Sequence, residues 1–190
     1  MSDLTDTQPA LFSGNEIHTN WAFGTLEMWS YDLIMIDPPW RFANWSEKGQ
    51  AKGPEPHYRT MSDDDIKMLP VADLARENCL LWLWATGPKA DVAMDALRAW
   101  GFEFKSLGSW NKKRWGTGYV WRSVCEPVLI GTIGEPDVNG ARVPNLFEES
   151  RREHSRKPEI AYHLAEQMMP EARRADVFSR QLRSGWEASG

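Results

Sequence analysis

The stretch at residues 31–40 has the sequence YDLIMIDPPW, and it decides the fold class. Five of its first six residues are apolar, a pattern typical of a strand buried on both faces of a parallel sheet. Because Pro38 and Pro39 cannot donate ladder hydrogen bonds, the strand must end at Asp37. The sequence thus predicts an acid at the carboxyl end of a central strand, where open α/β sheets bind their ligands. Taken alone, this pattern is also that of a simple turn that ends a strand and exposes Trp40.

Strand and helix patterns alternate along the rest of the chain. Further apolar strand patterns occur at residues 79–85, 102–110, 124–133 and 175–178. Helical patterns follow Ser62, continue over residues 71–77, and recur after Thr86 and from Pro158. This order predicts an α/β fold with a mostly parallel sheet in a single domain. The connecting segments 41–60, 111–122 and 134–157 are long, as binding loops often are.

Composition limits the class of protein. The chain has 190 residues, of which 42% are hydrophobic and 26% charged, as in ordinary globular proteins. Residues 1–15 are polar and predicted to be flexible, so the domain is expected to span residues 16–190. No apolar run approaches the ~18 residues of a membrane span, and no signal-peptide pattern is present. A cytoplasmic protein is expected, with Cys79 and Cys125 as buried thiols and no metal site among its four histidines.

The net charge of −5 is unevenly distributed. Residues 1–40 contain six acids and no Lys or Arg, whereas residues 105–122 contain five basic residues and no acid. A second basic cluster occurs at Arg151, Arg152, Arg156 and Lys157. Such runs are most often solvated surface. Two of them in loop-like sequence are also the pattern of a local phosphate-binding footprint.

Tryptophan is unusually frequent, with 11 residues in the chain. Most are expected in the core or in subunit contacts, because the ring carries a large area to bury. Those in loops are candidates for stacking on nucleic-acid bases, where one stacked ring contributes roughly 1–3 kcal/mol per base.

Several common catalytic and nucleotide-binding motifs are missing from the sequence. It contains no G-x-G-x-x-G, no G-x-x-x-x-G-K-[ST] and no G-x-S-x-G, which argues against a conventional dinucleotide fold, a P-loop nucleotidase and an α/β-hydrolase. The isolated pair Gly131 and Gly134 is most simply a turn.

The Asp37-Pro38-Pro39-Trp40 motif resembles the catalytic motif of amino-group methyltransferases that use S-adenosylmethionine. The exocyclic amine of adenine is a poor nucleophile, because its lone pair is delocalised into the ring. A carboxylate and a backbone carbonyl that accept its two N–H bonds would localise that lone pair and orient the nitrogen. Asp37 and the carbonyl of Pro38 suit these roles, and Trp40 is a candidate stacking ring.

Five further motifs extend the resemblance over residues 30–190. They are HYRTMS at 57–62, LWLWAT at 81–86, EPVLIG at 126–131, HSRKPE at 154–159 and GW at 185–186. In this order they resemble the MT-A70 family, which contains the catalytic subunit of the messenger-RNA adenosine methyltransferase and many bacterial and phage proteins.

The resemblance implies a Rossmann-like methyltransferase fold in the circularly permuted, β-type motif order, with S-adenosyl-L-methionine as cofactor. It places Asp37, Pro38, Pro39 and Trp40 at the methyl-transfer centre. It also implies that Asp37, Lys157 and Arg180 contact the cofactor, Lys157 through the methionine carboxylate and Arg180 near the ribose. The candidate substrate contacts are Trp40, Glu126, Lys112, Lys113, Arg114 and Tyr119. Without the resemblance, Lys157 and Glu126 would be taken as surface charges at element ends.

Two departures from the family pattern concern the cofactor. Gln181, Leu182 and Arg183 stand where some relatives have the His and Asn that hold S-adenosylmethionine. Family members also commonly continue with Gly-Asn beyond the region of Trp186, whereas the sequence here ends at Gly190. How the cofactor's adenosine is held therefore stays open.

The resemblance predicts methylation of the adenine 6-amino group in nucleic acid, with DNA favoured over RNA. The alternatives are an RNA adenosine methyltransferase and a nucleic-acid-binding partner subunit without activity, although the intact Asp37 argues against the latter. A protein glutamine methyltransferase would more usually carry Asn at this position. A homodimer or a partner subunit is a further expectation.

Overall fold

The strand predicted at the start of the YDLIMIDPPW stretch lies at the centre of the sheet. The computed structural model describes residues 21–41, 60–118, 120–151, 156–179 and 181–190. Its strands are β1 (Tyr31–Ile36), β2 (Ala75–Trp84), β3 (Glu103–Asn111), β4 (Cys125–Ile133), β5 (Leu146–Glu148), β6 (Arg174–Val177) and β7 (Glu187–Ser189). Its α-helices are α1 (Asp63–Lys67), α2 (Ala90–Ala99) and α3 (Glu159–Met168), and short 3₁₀ turns occur at Val71–Leu74 and Gly87–Lys89.

The strands form one mixed sheet in the order β5-β3-β4-β2-β1-β6-β7. β1 pairs in parallel with β2 and β6, and the pairs β3–β5 and β6–β7 are also parallel. Only the contacts of β4 with β2 and β3 are antiparallel within the described residues. The α/β fold with a mostly parallel sheet is therefore confirmed. Because β4 runs against its neighbours, it begins at the edge where β1, β2 and β3 end.

Side chains alternate between two buried faces of the sheet, as period-two geometry requires. On one face, Ile34 and Ile36 of β1 pack in a core cluster with residues of α2. On the other, Leu33 and Met35 pack in a cluster with residues of α3. Helices thus cover both sides of the central strands, which is the three-layer arrangement of an α/β domain. None of the helices in the described parts of the chain has the length and apolar character needed to cross a bilayer.

Local signals set the helix ends as the sequence predicted. The Ser62 hydroxyl accepts a hydrogen bond from the backbone N–H of Asp65 at 3.1 Å, which caps α1. Gly101 follows α2 with a φ of +80°, a conformation that glycine adopts without strain. Both features fix where the chain turns back towards the sheet.

The sequence prediction was wrong in three places. Residues 71–77 are not helical beyond Leu74, because β2 begins at Ala75 and its first polar residues are exposed. The short strands β5 and β7 were missed, since three residues are too few to show a periodic pattern. Cys79 is buried as expected, but Cys125 is exposed at the start of β4.

The packing of β2 can be tested by truncating Leu81, a fully buried residue that pairs with Ile34 of β1. The variant Leu81→Ala is expected to lower the free energy of unfolding by about 2–5 kcal/mol, because a buried leucine leaves a cavity. Urea unfolding measures this value. The control Leu182→Ala changes an almost fully exposed leucine and is expected to shift stability by no more than about 0.5 kcal/mol. Equal effects of the two variants would contradict the assigned core.

Candidate active site

Side chains from four segments meet at the edge of the sheet where the parallel strands end. Asp37 follows β1 directly, and Lys112 follows β3 directly. Glu126 is the second residue of β4, which starts at this edge because β4 is antiparallel. Lys157 precedes α3 by two residues. We refer to Asp37, Lys112, Glu126 and Lys157 as the charge cluster.

Lys157 lies at the centre of the charge cluster. Its ammonium is 3.1 Å from Oδ1 of Asp37 and 3.1 Å from Oε2 of Glu126. The ammonium of Lys112 lies 3.3 Å from Oε1 of the same Glu126. The cluster has two positive and two negative side chains, all of them only 10–32% exposed. Because water screens them poorly, these contacts are stronger than surface ion pairs.

The surroundings keep the central pair of this cluster charged. Burial lowers the pKa of Lys157, but the charges of Asp37 and Glu126 outweigh burial and hold the pKa above its ordinary value. Burial raises the pKa of Glu126, but the charges of Lys157 and Lys112 outweigh it and hold the pKa below its ordinary value. Glu126 is therefore an anion, and Lys157 a cation, at neutral pH.

Glu149 positions Lys157 by capping α3. Its carboxylate accepts hydrogen bonds from the backbone N–H groups of Glu159 at 3.1 Å and Ile160 at 2.9 Å. Its backbone carbonyl accepts a bond of 2.8 Å from the indole N–H of Trp110 in β3. The capping carboxylate replaces the side-chain cap that Pro158 cannot supply. The start of α3 is thereby tied to the strand that carries the neighbouring part of the site.

The two-proline turn after β1 is fixed by its own backbone. The carbonyl of Pro38 accepts from the N–H of Trp40 at 2.8 Å, and that of Pro39 accepts from the N–H of Met61 at 2.9 Å. A carbonyl oxygen has two lone pairs, so Pro38 retains capacity for a second donor. The ring of Trp40 is 4% exposed and belongs to the core. A base can reach this ring only if the surrounding chain moves, so its stacking role stays a prediction.

A second acid lies beside Asp37 on the same face of the sheet. Asp176 of β6 is buried and accepts a hydrogen bond from the Tyr162 hydroxyl at 2.9 Å. Burial is the main cause that raises the pKa of Asp176 to about 6, hydrogen bonds from Ser179 and Tyr162 oppose it, and the charge of Asp37 adds to it. The guanidinium of Arg183 lies 4.0 Å from the centre of the Tyr162 ring.

The structure separates the predicted basic contacts into two kinds. Lys112 was predicted to face phosphate, but it is buried in the charge cluster and held by Glu126. Lys113 is half exposed and lies 3.1 Å from Glu148, and Arg114 is exposed. Arg180 and Tyr119 fall outside the residues that the structure describes, so their predicted roles stay predictions.

The residues that support the site were not predicted from the sequence, unlike those that form its motif. Glu149 was not singled out, because nothing in its neighbourhood marks it as a cap for a helix ten residues further on. Asp176 was hidden within a short apolar strand, although an acid in such a strand is itself a signal. Trp84 was predicted only as part of the strand at residues 79–85, yet the ammonium of Lys157 lies 4.8 Å from the centre of its ring.

Comparison with known proteins agrees with the fold. The family model described as MT-A70 matches residues 31–190. The chain is 30% identical over 171 residues to an "N(6)-adenosine-methyltransferase MT-A70-like" protein of Arabidopsis thaliana, a match over 85% of this chain and 23% of that protein. It is 27% identical to the "Type II methyltransferase M.MunI" of Mycoplasma sp, over 88% of this chain and 80% of that protein. It is 26% identical to the human "N(6)-adenine-specific methyltransferase METTL4", over 85% and 37%.

The mostly parallel sheet and the family match define an α/β protein of the Rossmann-like methyltransferase type. The match over residues 31–190 shows that the chain belongs to the MT-A70 family. It spans about a quarter of the length of the plant relatives that it matches. Methyltransferases of this family use S-adenosyl-L-methionine as methyl donor.

The residues at the strand ends fit that cofactor. Its methionine part carries a carboxylate and an ammonium, which the lysine and the acids of the charge cluster can bind with opposite charges. The buried polar atoms without a hydrogen-bond partner in the described residues include Nε1 of Trp84, the last residue of β2, and Oγ1 of Thr86, two residues further on. Buried polar atoms of this kind suit a polar ligand. No cluster of three or more His, Cys, Asp or Glu that could hold a metal ion occurs in the described ranges.

The raised pKa of Asp176 makes stability depend on pH. Its ordinary value is 3.8, so between about pH 4 and pH 6 the unfolded chain ionises while the folded protein keeps the proton. Stability is therefore lost as the pH rises through this window, by at most about 3 kcal/mol. The variant Asp176→Asn keeps a partner for Tyr162 but cannot ionise, so its stability relative to the natural chain should increase from pH 4 to pH 6 and then level off.

Urea unfolding of both proteins at four pH values measures this difference. The control Asp95→Asn, at an exposed position of α2, should show no comparable trend. A stability difference between Asp176→Asn and the natural chain that stays constant across the window would contradict the assigned titration.

Proposed function

We propose that the chain transfers a methyl group from S-adenosylmethionine to the 6-amino group of adenine in nucleic acid. The observation that carries this proposal is the pairing of Asp37, at the end of β1, with the buried ammonium of Lys157 at 3.1 Å. The acid and the adjoining Pro38 carbonyl lie on a turn whose backbone is fixed by its own hydrogen bonds. Two rigidly held acceptors next to a buried cation suit the transfer of a methyl group from a charged donor to an amine.

Asp37 and Pro38 orient the amine. Each accepts one N–H bond of the 6-amino group, so that the nitrogen lone pair points away from the two acceptors and out of conjugation with the ring. When bound, S-adenosylmethionine supplies a methyl group on a sulfonium for in-line attack by that lone pair. In such a transfer the C–N bond would form as the C–S bond breaks, and the C–S electron pair would be left on sulfur. The nitrogen then releases one proton, for which Asp37 is the adjoining acceptor.

Lys157 and Glu126 position the cofactor and the adenosine. Lys157 binds the methionine carboxylate while retaining Asp37, which keeps the acceptor beside the donor. Glu126 accepts hydrogen bonds from the adenosine and is itself oriented by Lys112 and Lys157. Because the cluster carries no net charge, neither substrate has to displace an uncompensated buried ion.

We propose DNA rather than RNA as the nucleic acid. The match to a type II methyltransferase covers 80% of that protein, whereas the match to the plant adenosine methyltransferase covers 23% of it. An adenine inside a duplex has to be flipped out of the stack before Asp37 can reach its amine. A cytoplasmic location and assembly as a homodimer or with a partner subunit stay predictions from the sequence.

The proposed reaction is tested by replacing its acceptor. The natural chain is incubated with S-adenosylmethionine and either DNA or RNA oligonucleotides, and N6-methyladenine is measured by mass spectrometry. We expect the natural chain to methylate DNA. In Asp37→Asn the rate of methyl transfer should fall at least about 100-fold, because the amide oxygen lacks the full negative charge with which the carboxylate accepts the N–H group of the amine. Asp95→Asn is the control, since it removes an exposed acid away from the site.

The outcomes of this experiment are distinct. Methylation of RNA alone would correct the substrate but keep the reaction. Undiminished transfer by Asp37→Asn would refute the assigned mechanism, and the absence of transfer by the natural chain would favour a binding subunit.

The role of the exposed basic residues in DNA binding is tested through the salt dependence of the binding constant. If Lys113 and Arg114 each contact a phosphate, the double variant Lys113→Gln/Arg114→Gln should flatten the slope of log K against log salt by about 2. Binding of labelled DNA is measured by fluorescence anisotropy between low and moderate salt. The control Lys105→Gln lies near the start of β3, away from the strand ends that carry the site, and should leave the slope unchanged. An unchanged slope in the double variant would remove this loop from the footprint.

A further inference from the structure

The β3–β4 hairpin continues past the sheet as a tightly paired tip. The last ladder pair joins Asn111 and Cys125. Beyond it, the N–H of Lys112 donates to the carbonyl of Val124 at 2.9 Å, and that of Gly116 donates to the carbonyl of Ser123 at 2.7 Å. We call residues 113–118 and 120–123 the hairpin tip.

The hairpin tip exposes two tryptophan rings. Trp115 is 76% exposed and Trp121 is 83% exposed. Six other tryptophans are at least nine-tenths buried, namely Trp40, Trp82, Trp84, Trp100, Trp110 and Trp186. Exposing two large rings on one hairpin tip forgoes hydrophobic stabilisation, and such exposed apolar surface is typical of a binding site.

Two glycines allow the two arms of the hairpin tip to approach each other closely. A Cβ on Gly118 would collide with the backbone carbonyl of Trp121, and one on Gly116 would lie 3.1 Å from the carbonyl of Ser123. The chain can approach this closely only where a side chain is missing. The two rings are therefore carried by a paired hairpin and not by a loose loop, which limits the conformational entropy lost when they bind a ligand.

The charges around the rings favour a polyanion. Residues 106–125 contain four basic residues and no acid. Lys112 is engaged inside the charge cluster and Lys113 faces Glu148, whereas Arg114 and Arg122 are exposed beside the two tryptophans. Aromatic faces interleaved with arginine are the pattern of single-strand nucleic-acid recognition, where bases stack on rings and cations contact phosphates.

The tip extends directly from the candidate active site. Lys112, which lies between β3 and the hairpin tip, is 3.3 Å from Glu126, and Glu126 in turn contacts Lys157. The hairpin tip therefore begins next to the side chains that surround Asp37.

We propose that Trp115 and Trp121 stack on unpaired bases next to the target adenine, while Arg114 and Arg122 contact the flanking phosphates. This inference rests on the proposed function and adds a substrate preference to it. Stacking requires bases whose faces are accessible, so the enzyme binds single-stranded or locally opened DNA more tightly than a closed duplex. Stacking is tolerant of base identity, so the tip contributes affinity and not target sequence.

Binding is measured with the full chain by fluorescence anisotropy of a labelled single-stranded DNA oligonucleotide and of the same sequence as a duplex. Trp115→Ala and Trp121→Ala are each expected to weaken single-strand binding about tenfold, which corresponds to the loss of one stacked base. Trp115→Phe and Trp121→Phe should recover most of the affinity, because an aromatic face is restored. The matched control is Trp29→Ala, which removes an exposed tryptophan at the opposite edge of the sheet.

Three results would overturn the inference. The first is unchanged single-strand binding in both alanine variants. The second is an equal loss in Trp29→Ala. The third is a change of oligomeric state in the alanine variants by light scattering with DNA affinity retained, which would assign the tip to protein contacts. Circular dichroism checks that each variant is folded.

The same variants separate this inference from the proposed function. Anisotropy needs no methyl transfer, so the stacking surface can be confirmed even if the chain proves inactive. If the chain is active, the alanine variants should raise KM for single-stranded DNA with little change in kcat, as expected for residues that bind but do not touch the reacting nitrogen.

Discussion

The structure depends on one buried cation, the ammonium of Lys157 held between Asp37 and Glu126. These residues are far apart in the sequence and come from the end of β1, the start of β4 and the segment before α3. A buried ion pair adds little net stability, because desolvation offsets the attraction, but it penalises every arrangement in which one partner is left alone. The contact therefore acts as a constraint on how the sheet edge and α3 are assembled. The position of the proposed amine acceptor is a consequence of that constraint.

The sheet topology explains why this constraint can be met. In an all-parallel sheet, a residue at the start of a strand would lie at the edge opposite Asp37. β4 runs antiparallel to both of its neighbours, and this reversal brings Glu126 to the carboxyl edge. The same reversal makes β3 and β4 a hairpin, so the chain leaves and re-enters the sheet beside the site. One inverted strand thus provides both an acid for the charge cluster and the projecting tip with Trp115 and Trp121.

Sequence could predict the parts of this arrangement that depend on short-range patterns. The apolar run ending at Asp37, the cap at Ser62 and the helix after Pro158 all appear as local signals, and the structure contains each of them. Contacts that depend on side chains distant in sequence could not be predicted in the same way. Lys112 has the same local context as the exposed Arg114, and only the folded hairpin turns it towards Glu126. Likewise, Glu149 caps α3 across ten residues of sequence, and Trp110 and Asn111 of β3 hydrogen-bond to its backbone.

Glu126 has two lysine partners, and each belongs to a different side of the site. Lys157 contacts Asp37 at the end of β1, whereas Lys112 leads into the hairpin tip. A movement of either lysine changes the electrostatic potential at Glu126. It thereby changes the contact between Glu126 and the other lysine. Ligands that displace the two lysines would therefore be thermodynamically linked, and any change that one made in the affinity of the other would be returned by the same factor. A single shared carboxylate is enough to make the two binding events cooperative or mutually opposed.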